Sequence, residues 1–309
     1  MEAEIFSNIR CFFPFLGYNN KKLMNGGNAV KSYQINEANM KQFTQYLRGH
    51  GASTGTIEKY QRDIRSFGEW MKGRKVSPEK VTQWKEFLLE QDYGHSTINS
   101  MLAAVNAFFR WMGWEFRAKF LRIQRKIFRD PARELTKQEY FRLVETAEKL
   151  GQERLSLIME TICSTGIRVS EVPFITVEAA KRGKAEIFLK GKIRTIFLPH
   201  KLCRKLLCYA KNQKTASGGI FLTRNGKNLS RKQIWAEMKA LCQKAGVMHE
   251  KVFPHNLRHL FARTFYKTSQ DVVKLADVLG HSSIETTRIY LISSGTEHIG
   301  LMERLPLLL

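Results

Sequence analysis

Arginine, histidine, lysine and tyrosine side chains recur in the second half of this sequence at places where the chain must turn. Tyr290 closes the run Leu279-Gly280-His281-Ser282-Ser283-Ile284-Glu285-Thr286-Thr287-Arg288-Ile289-Tyr290. A phenol becomes a nucleophile once a neighbour takes its proton. Gly280 ends the helical stripe of Val272, Leu275 and Val278, and Ser282 or Ser283 caps the next helix, so His281 sits on a corner. Upstream, Phe253-Pro254-His255-Asn256-Leu257-Arg258-His259 opens a helix with proline at its first position. That places His255 and Arg258 on one face of the opening turn, beside backbone N–H groups that favour an anion.

Two more segments add to this set. In Thr165-Gly166-Ile167-Arg168-Val169-Ser170-Glu171 a glycine breaks a helical run just before Arg168, and Glu171 follows three residues later. Taken alone, this reads as a surface arginine paired with an acid one turn on. Lys190 lies at the tip of a hairpin signal, Lys190-Gly191-Lys192, where a lysine is ordinarily a solvated turn residue. A projecting turn also offers a mobile ammonium as a proton donor, with Lys192 the alternative to Lys190. His255 and His259 share the i, i+4 spacing of zinc ligands, but no Glu follows His255 and no third ligand is signposted, so no metal is expected. Arg168, Lys190, His255, Arg258, His281 and Tyr290 together meet the requirements of nucleophilic attack on a phosphodiester.

The composition agrees with a phosphodiester substrate. The 309 residues carry 51 Lys and Arg against 28 Asp and Glu, a formal net charge of +23. Such an excess points to a polyanion, nucleic acid before membrane. With 43% hydrophobic and 26% charged residues the chain has the makings of packed cores, which excludes disorder and fibrous repeats. Its apolar stretches fall short of a membrane span, and the Cys11–Leu16 patch is short for a signal-peptide core, so a cytoplasmic protein is expected. Five cysteines in no CxxC pair predict reduced thiols rather than a disulfide framework.

The elements that must position these residues are mostly helical. Residues 1–30 show no sustained period and read as a loose leader, with Met24 a second candidate start. Over 31–116, Ile57, Tyr60, Ile64, Phe67 and Trp70 recur at helical steps, as do Ile98, Met101, Val105, Phe109 and Met112; punctuation at Ser53, Ser77-Pro78 and Gly94 divides the segment into four helices. Residues 117–133 form a basic connector in which Arg117, Lys119, Arg122, Arg125, Lys126 and Arg129 meet no acid before Asp130. Its composition suits either a solvated linker or a strap along phosphates, and its position between two domains favours the strap. A second domain, 134–309, starts at Thr136, which with Glu139 has the spacing of a capping box. It is mainly helical, with one hairpin over 185–189 and 194–198.

In order and spacing, Arg168, Lys190, His255-x-x-Arg258-His259, Gly280-His281 and Tyr290 resemble the tyrosine recombinase family, which includes phage integrases and Xer recombinases. The stretch from Ser53 through Tyr60 to Trp70 is similar to that family's SAM-like core-binding domain. The resemblance implies a mainly α fold with a small β-hairpin, a helical SAM-like N-terminal domain and a mixed α/β catalytic domain. It implies Tyr290 as nucleophile, Arg168 and Arg258 on the non-bridging oxygens, His281 as a further donor to them, His255 as base or support, Lys190 as acid and Glu171 as an orienting group. It further implies no cofactor, duplex DNA as substrate, a nucleoid-associated enzyme, and a tetrameric synapse assembled through the tail from Thr296, with room for an accessory DNA-bending protein. A type IB topoisomerase, a telomere resolvase or a non-catalytic DNA-binding regulator would display similar residues.

Overall fold

Ser53, Ser77 and Thr136 each cap the start of a helix, and helices of this kind dominate the described residues. The computed structural model describes residues 33–123, 131–189, 192–281, 283–291 and 302–305. The leader therefore lies outside the described residues. The chain divides into two units, Met1–Arg125 and Lys126–Leu309.

In the first unit four helices occur among the described residues: α1 (Glu37–Gly49), α2 (Thr54–Met71), α3 (Pro78–Glu90) and α4 (His95–Trp111). Asn36 and Asn39 exchange side-chain-to-backbone hydrogen bonds at 2.9 and 3.0 Å to cap α1. Ser53 and Ser77 cap α2 and α3, with Pro78 in the first turn of α3. The stripes read from the sequence face inward: Ile57, Ile64, Phe67, Ile98, Val105 and Phe109 are buried with Phe43, Trp84, Phe108 and Trp114. Phe43 meets Phe108 edge-on, the rings 5.4 Å apart, a favoured aromatic geometry.

The basic segment after α4 begins as a strap on this unit. Two buried asparagines of α4 hold it as one β-strand holds another. Asn106 donates to the carbonyl of Ala118 at 3.0 Å and accepts its N–H at 2.7 Å. Asn99 does the same for Leu121, at 2.9 and 2.7 Å. Seven helical residues rise about 10.5 Å and three extended residues span about 10 Å, so the two clamps match in spacing. Lys119 and Arg122 are left exposed between and beyond them. Arg117 instead folds back, its Nη1 donating to the carbonyls of Trp114 and Phe116. Arg125, Lys126 and Arg129 lie outside the described residues.

The second unit contains α5 (Lys137–Lys149), α6 (Glu153–Thr165), a 3₁₀ turn (Val169–Phe174), α7 (Val177–Arg182), β1 (Lys184–Leu189), β2 (Lys192–Phe197), α8 (His200–Asn212), α9 (Arg231–Ala245), α10 (Pro254–Ser269), α11 (Val272–Leu279), α12 (Ile284–Arg288) and a 3₁₀ turn (Ile289–Leu291). Thr136 and Glu139 close the capping box at 3.1 and 2.8 Å. Helix α6 runs through the core, with Leu155, Leu157, Ile158, Met159 and Ile162 all buried, so it packs against α5, α8 and α10 at once.

The hairpin is longer than its β-prone runs. Its strands pair antiparallel from Lys184↔Phe197 to Leu189↔Lys192, so β2 begins two residues before the predicted start. Cross-strand pairing draws Lys192 and Ile193 into the ladder although local propensity alone ends it sooner. The register leaves Lys190 and Gly191 as the connection, and both lie outside the described residues. Ala185, Ile187 and Ile196 face the core, whereas Phe188, Ile193 and Phe197 face outward.

Candidate active site

Four segments distant in sequence meet in the second unit: the turn after α6, strand β2, the first turn of α10, and the corner that leads from α11 to Tyr290. Arg258 is their hub, 1% exposed. Its Nη1 donates to the Gly166 carbonyl. Its Nη2 donates to the Leu279 carbonyl at 2.9 Å and to His281 Nε2, also at 2.9 Å. Its Nε faces the Tyr290 hydroxyl at 3.4 Å. A charge taken this far from water is tolerable because every arm of the fork is hydrogen-bonded. Burial still lowers the guanidinium's pKa, against the opposing pull of the Tyr290 phenol.

Gly166 ends α6 in the left-handed region, with φ at +66°, where a Cβ would run into Phe261 and Leu279. That turn aims the Gly166 carbonyl at Arg258 and starts the chain toward Arg168. Glu171, buried, accepts the Arg168 backbone N–H at 2.7 Å and Arg168 Nη1 at 3.1 Å. The acid thus holds Arg168 by main chain and side chain together, the i, i+3 pair that the sequence suggests.

His281 occupies the corner after Gly280, whose φ of +64° terminates α11. Its Nδ1 lies 2.8 Å from Thr287 Oγ1, and Thr287 is fully buried. A guanidinium only donates, so Nε2 is the acceptor from Arg258 and the ring proton sits on Nδ1, directed at Thr287. Burial, then the positive charges of Arg258, Arg168 and Arg194, push the His281 pKa down to about 3. The imidazole is neutral at physiological pH, and a phosphate brought against the same arginines would favour its protonated, donating form.

Tyr290 is 3% exposed and walled by imidazoles. Its ring lies 4.5 Å from His259, 5.6 Å from His281 in a near-parallel stack, and 6.1 Å from His255. His255 and His259 meet edge-on at 4.5 Å. Among the described residues no three His, Cys, Asp or Glu side chains converge as a metal site requires.

Of the residues singled out in the sequence, Arg168, Glu171, His255, Arg258, His281 and Tyr290 therefore share one site. Lys190 lies outside the described residues. Arg117, Lys119 and Arg122 belong to the strap of the first unit. Three contributors are given no part in the chemistry by the sequence reading: His259, which stands in the motif and is the ring nearest Tyr290; Thr287, which orients His281; and Arg194 on β2. Arg194 had a signal, because it stands at an inward position of an alternating strand, opposite Ile187, where a charge needs a partner. Its Nη1 donates to the Leu279 carbonyl and lies 3.5 Å from Glu171.

Comparison with known proteins follows the same division. The model of the phage integrase family matches residues 133–296, and that of the phage integrase N-terminal SAM-like domain matches residues 40–115. The chain is 31% identical over 258 residues to Tyrosine recombinase XerA of Pyrococcus furiosus, covering 81% of this chain and 88% of the relative. It is 30% identical over 265 residues to Tyrosine recombinase XerC of Roseiflexus castenholzii, covering 77% and 83%. Among solved structures, the Tn1549 transposon integrase in complex with transposon right end DNA shares the fold, with a TM-score of 0.66 at 17% identity over 86% of this chain and 99% of that one. By family match over more than half its length and by identity to curated relatives, the chain belongs to the phage integrase family of tyrosine recombinases.

Proposed function

We propose that this protein is a site-specific DNA recombinase that cleaves and rejoins duplex DNA through a 3′-phosphotyrosyl intermediate. The observation that carries the reading is the Tyr290 hydroxyl facing the buried fork of Arg258 inside a wall of three histidines. Tyr290 Oη attacks the scissile phosphorus; the O–P bond to tyrosine forms as the bond to the 5′-oxygen breaks. His255 or His259 takes the phenolic proton, and Lys190 returns a proton to the leaving 5′-oxygen. Arg168 and Arg258 grip the non-bridging oxygens as charge develops, and Glu171 keeps Arg168 extended toward them. His281 adds a hydrogen bond once the phosphate displaces the Arg258 N–H from its Nε2. Exchange of one phosphodiester for a phosphotyrosyl bond of similar energy draws on no nucleoside triphosphate, and the reverse attack by a 5′-hydroxyl reseals the strand.

The basic strap would follow the DNA backbone with Lys119 and Arg122. Arg125, Lys126 and Arg129 extend that run in sequence. Four protomers on two sites would exchange strands in pairs, in the cytoplasm on the nucleoid. A trapping assay tests the chemistry. Nicked duplexes from the ends of the protein's own genetic element are incubated with it in EDTA and resolved on denaturing gels. A covalent adduct that Tyr290→Phe abolishes is expected; a demonstrably bound site that yields none would replace this reading with that of a DNA-binding regulator.

A further inference from the structure

Three arginines surround one carboxylate in this site, and the third has no part in the chemistry just described. Arg194 projects inward from β2, one strand of the hairpin whose connection contains Lys190. Its Nη1 is bound to the Leu279 carbonyl, the same oxygen that accepts from Arg258 Nη2. The same nitrogen lies 3.5 Å from the Glu171 oxygen that accepts from Arg168. The side chain also lies flat on Gly280: a Cβ there would come within 2.5 Å of Arg194 Cδ and 2.8 Å of its Nη1. The glycine is thus required twice, for its positive φ and for the room it leaves the guanidinium.

A guanidinium placed for stability alone would have its donors matched. Here Nε and Nη2 are buried and have no hydrogen-bond partner among the described residues. Burial and the nearby charges of Arg258 and Arg168 oppose its charge, which only Glu171 supports, and its pKa falls to about 10. A buried, under-bonded cation is an expensive component, and such groups cluster where geometry serves a reaction.

We infer that Arg194 is a positioning residue of this recombinase, pinning the hairpin to the Leu279–His281 corner and to Glu171 so that His281 and Arg168 keep their register on the scissile phosphate. The inference rests on the recombinase reading. Arg194 itself touches no substrate, because its free nitrogens are buried behind the corner. It acts through the Leu279 carbonyl, which it shares with Arg258, and so on His281, two residues further along the same corner.

The test uses the full chain on its nicked site. Single-turnover adduct formation, duplex affinity and thermal unfolding are measured for the wild type, Arg194→Lys, Arg194→Met, His281→Ala and the double variant Arg194→Lys/His281→Ala. Lysine keeps the charge and most of the stem, but its shorter, freely rotating ammonium does not hold the fixed position that Nη1 takes between the Leu279 carbonyl and Glu171. Expected is duplex affinity within about threefold of wild type, with adduct formation by Arg194→Lys slowed about a hundredfold, the scale of an ångström's misplacement. In the His281→Ala background the same change should cost less than in the wild type, since the part of its effect that passes through the ring is already lost. Wild-type cleavage rates in folded Arg194→Lys, or full multiplication of the two losses, would overturn the inference. If Arg194→Met unfolds, Arg194→Lys still decides the matter. A wild-type chain that forms no adduct on a bound site would fail at the parent reading, whereas a cleaving wild type with an equally active Arg194→Lys would fail at the inference alone.

Discussion

His281 shows how far one side chain's chemistry depends on its surroundings. Unfolded, its imidazole takes a proton near pH 6.5; folded, burial and three arginines hold the proton off until about pH 3. Between those values the unfolded chain binds more protons, so acid favours unfolding and stability falls as the pH drops through that window. His281→Asn, which cannot titrate, should flatten this dependence. Thermal melts of both proteins from about pH 7 down to about pH 4 should diverge, the wild type losing more of its midpoint. Parallel curves would mean that His281 is as easily protonated folded as unfolded. The same ring explains why a histidine, rather than a fixed donor, suits the corner: its Nε2 accepts from Arg258, and it would become a donor once an anion supplied the counter-charge.

At the scale of elements, turns do the aiming. The turn at Gly166 delivers one carbonyl to Arg258 and, two residues on, Arg168 to Glu171. An alanine there would sit at φ +66°, with its Cβ against the Phe261 ring and 2.9 Å from Leu279 Cδ2. Gly166→Ala should cost about 1–3 kcal/mol in denaturant unfolding and slow cleavage as well. The asparagine clamps of α4 do similar work for the strap. Replacing Asn106 with Ala leaves the Ala118 N–H and carbonyl without their partners, at about 1–3 kcal/mol. In the double variant Asn99→Ala/Asn106→Ala, DNA affinity should also depend less steeply on salt, by about 0.9 in log–log slope for each phosphate contact released. An unchanged slope would show that Lys119 and Arg122 make no phosphate contact that depends on the clamps.

Across the whole molecule, the net charge of +23 suits a polyanionic partner such as duplex DNA. Assembly is a separate property. The described part of the tail, residues 302–305, leaves Met302 and Leu305 exposed, and an apolar end of this kind is costly unless something covers it. Truncation before Thr296 should therefore spare binding of a single site while weakening the joining of two. Native gels with paired sites, read beside adduct yield, check this; full synapsis by the truncated chain would remove the tail from assembly. Among the described residues no helix is long and apolar enough to cross a membrane.

Much of this was legible before any coordinates. Caps at Ser53, Ser77 and Thr136, the helix start at Pro254, helix stops at Gly166 and Gly280, and the inward stripes of α2 and α4 follow from interactions within four residues, which sequence spacing records directly. So do the identities of Arg168, Glu171, His255, Arg258, His281 and Tyr290, each carried by a local motif. What spacing does not record is who meets whom across the fold. The partners of Arg258 lie 21, 23, 32 and 92 residues away. The shared carbonyl of Leu279, the recruitment of Arg194, the tautomer of His281 and the asparagine clamps on the strap all depend on such contacts. They exist only once segments distant in sequence are buried together, because burial is what turns a polar side chain's choice of partner into a requirement.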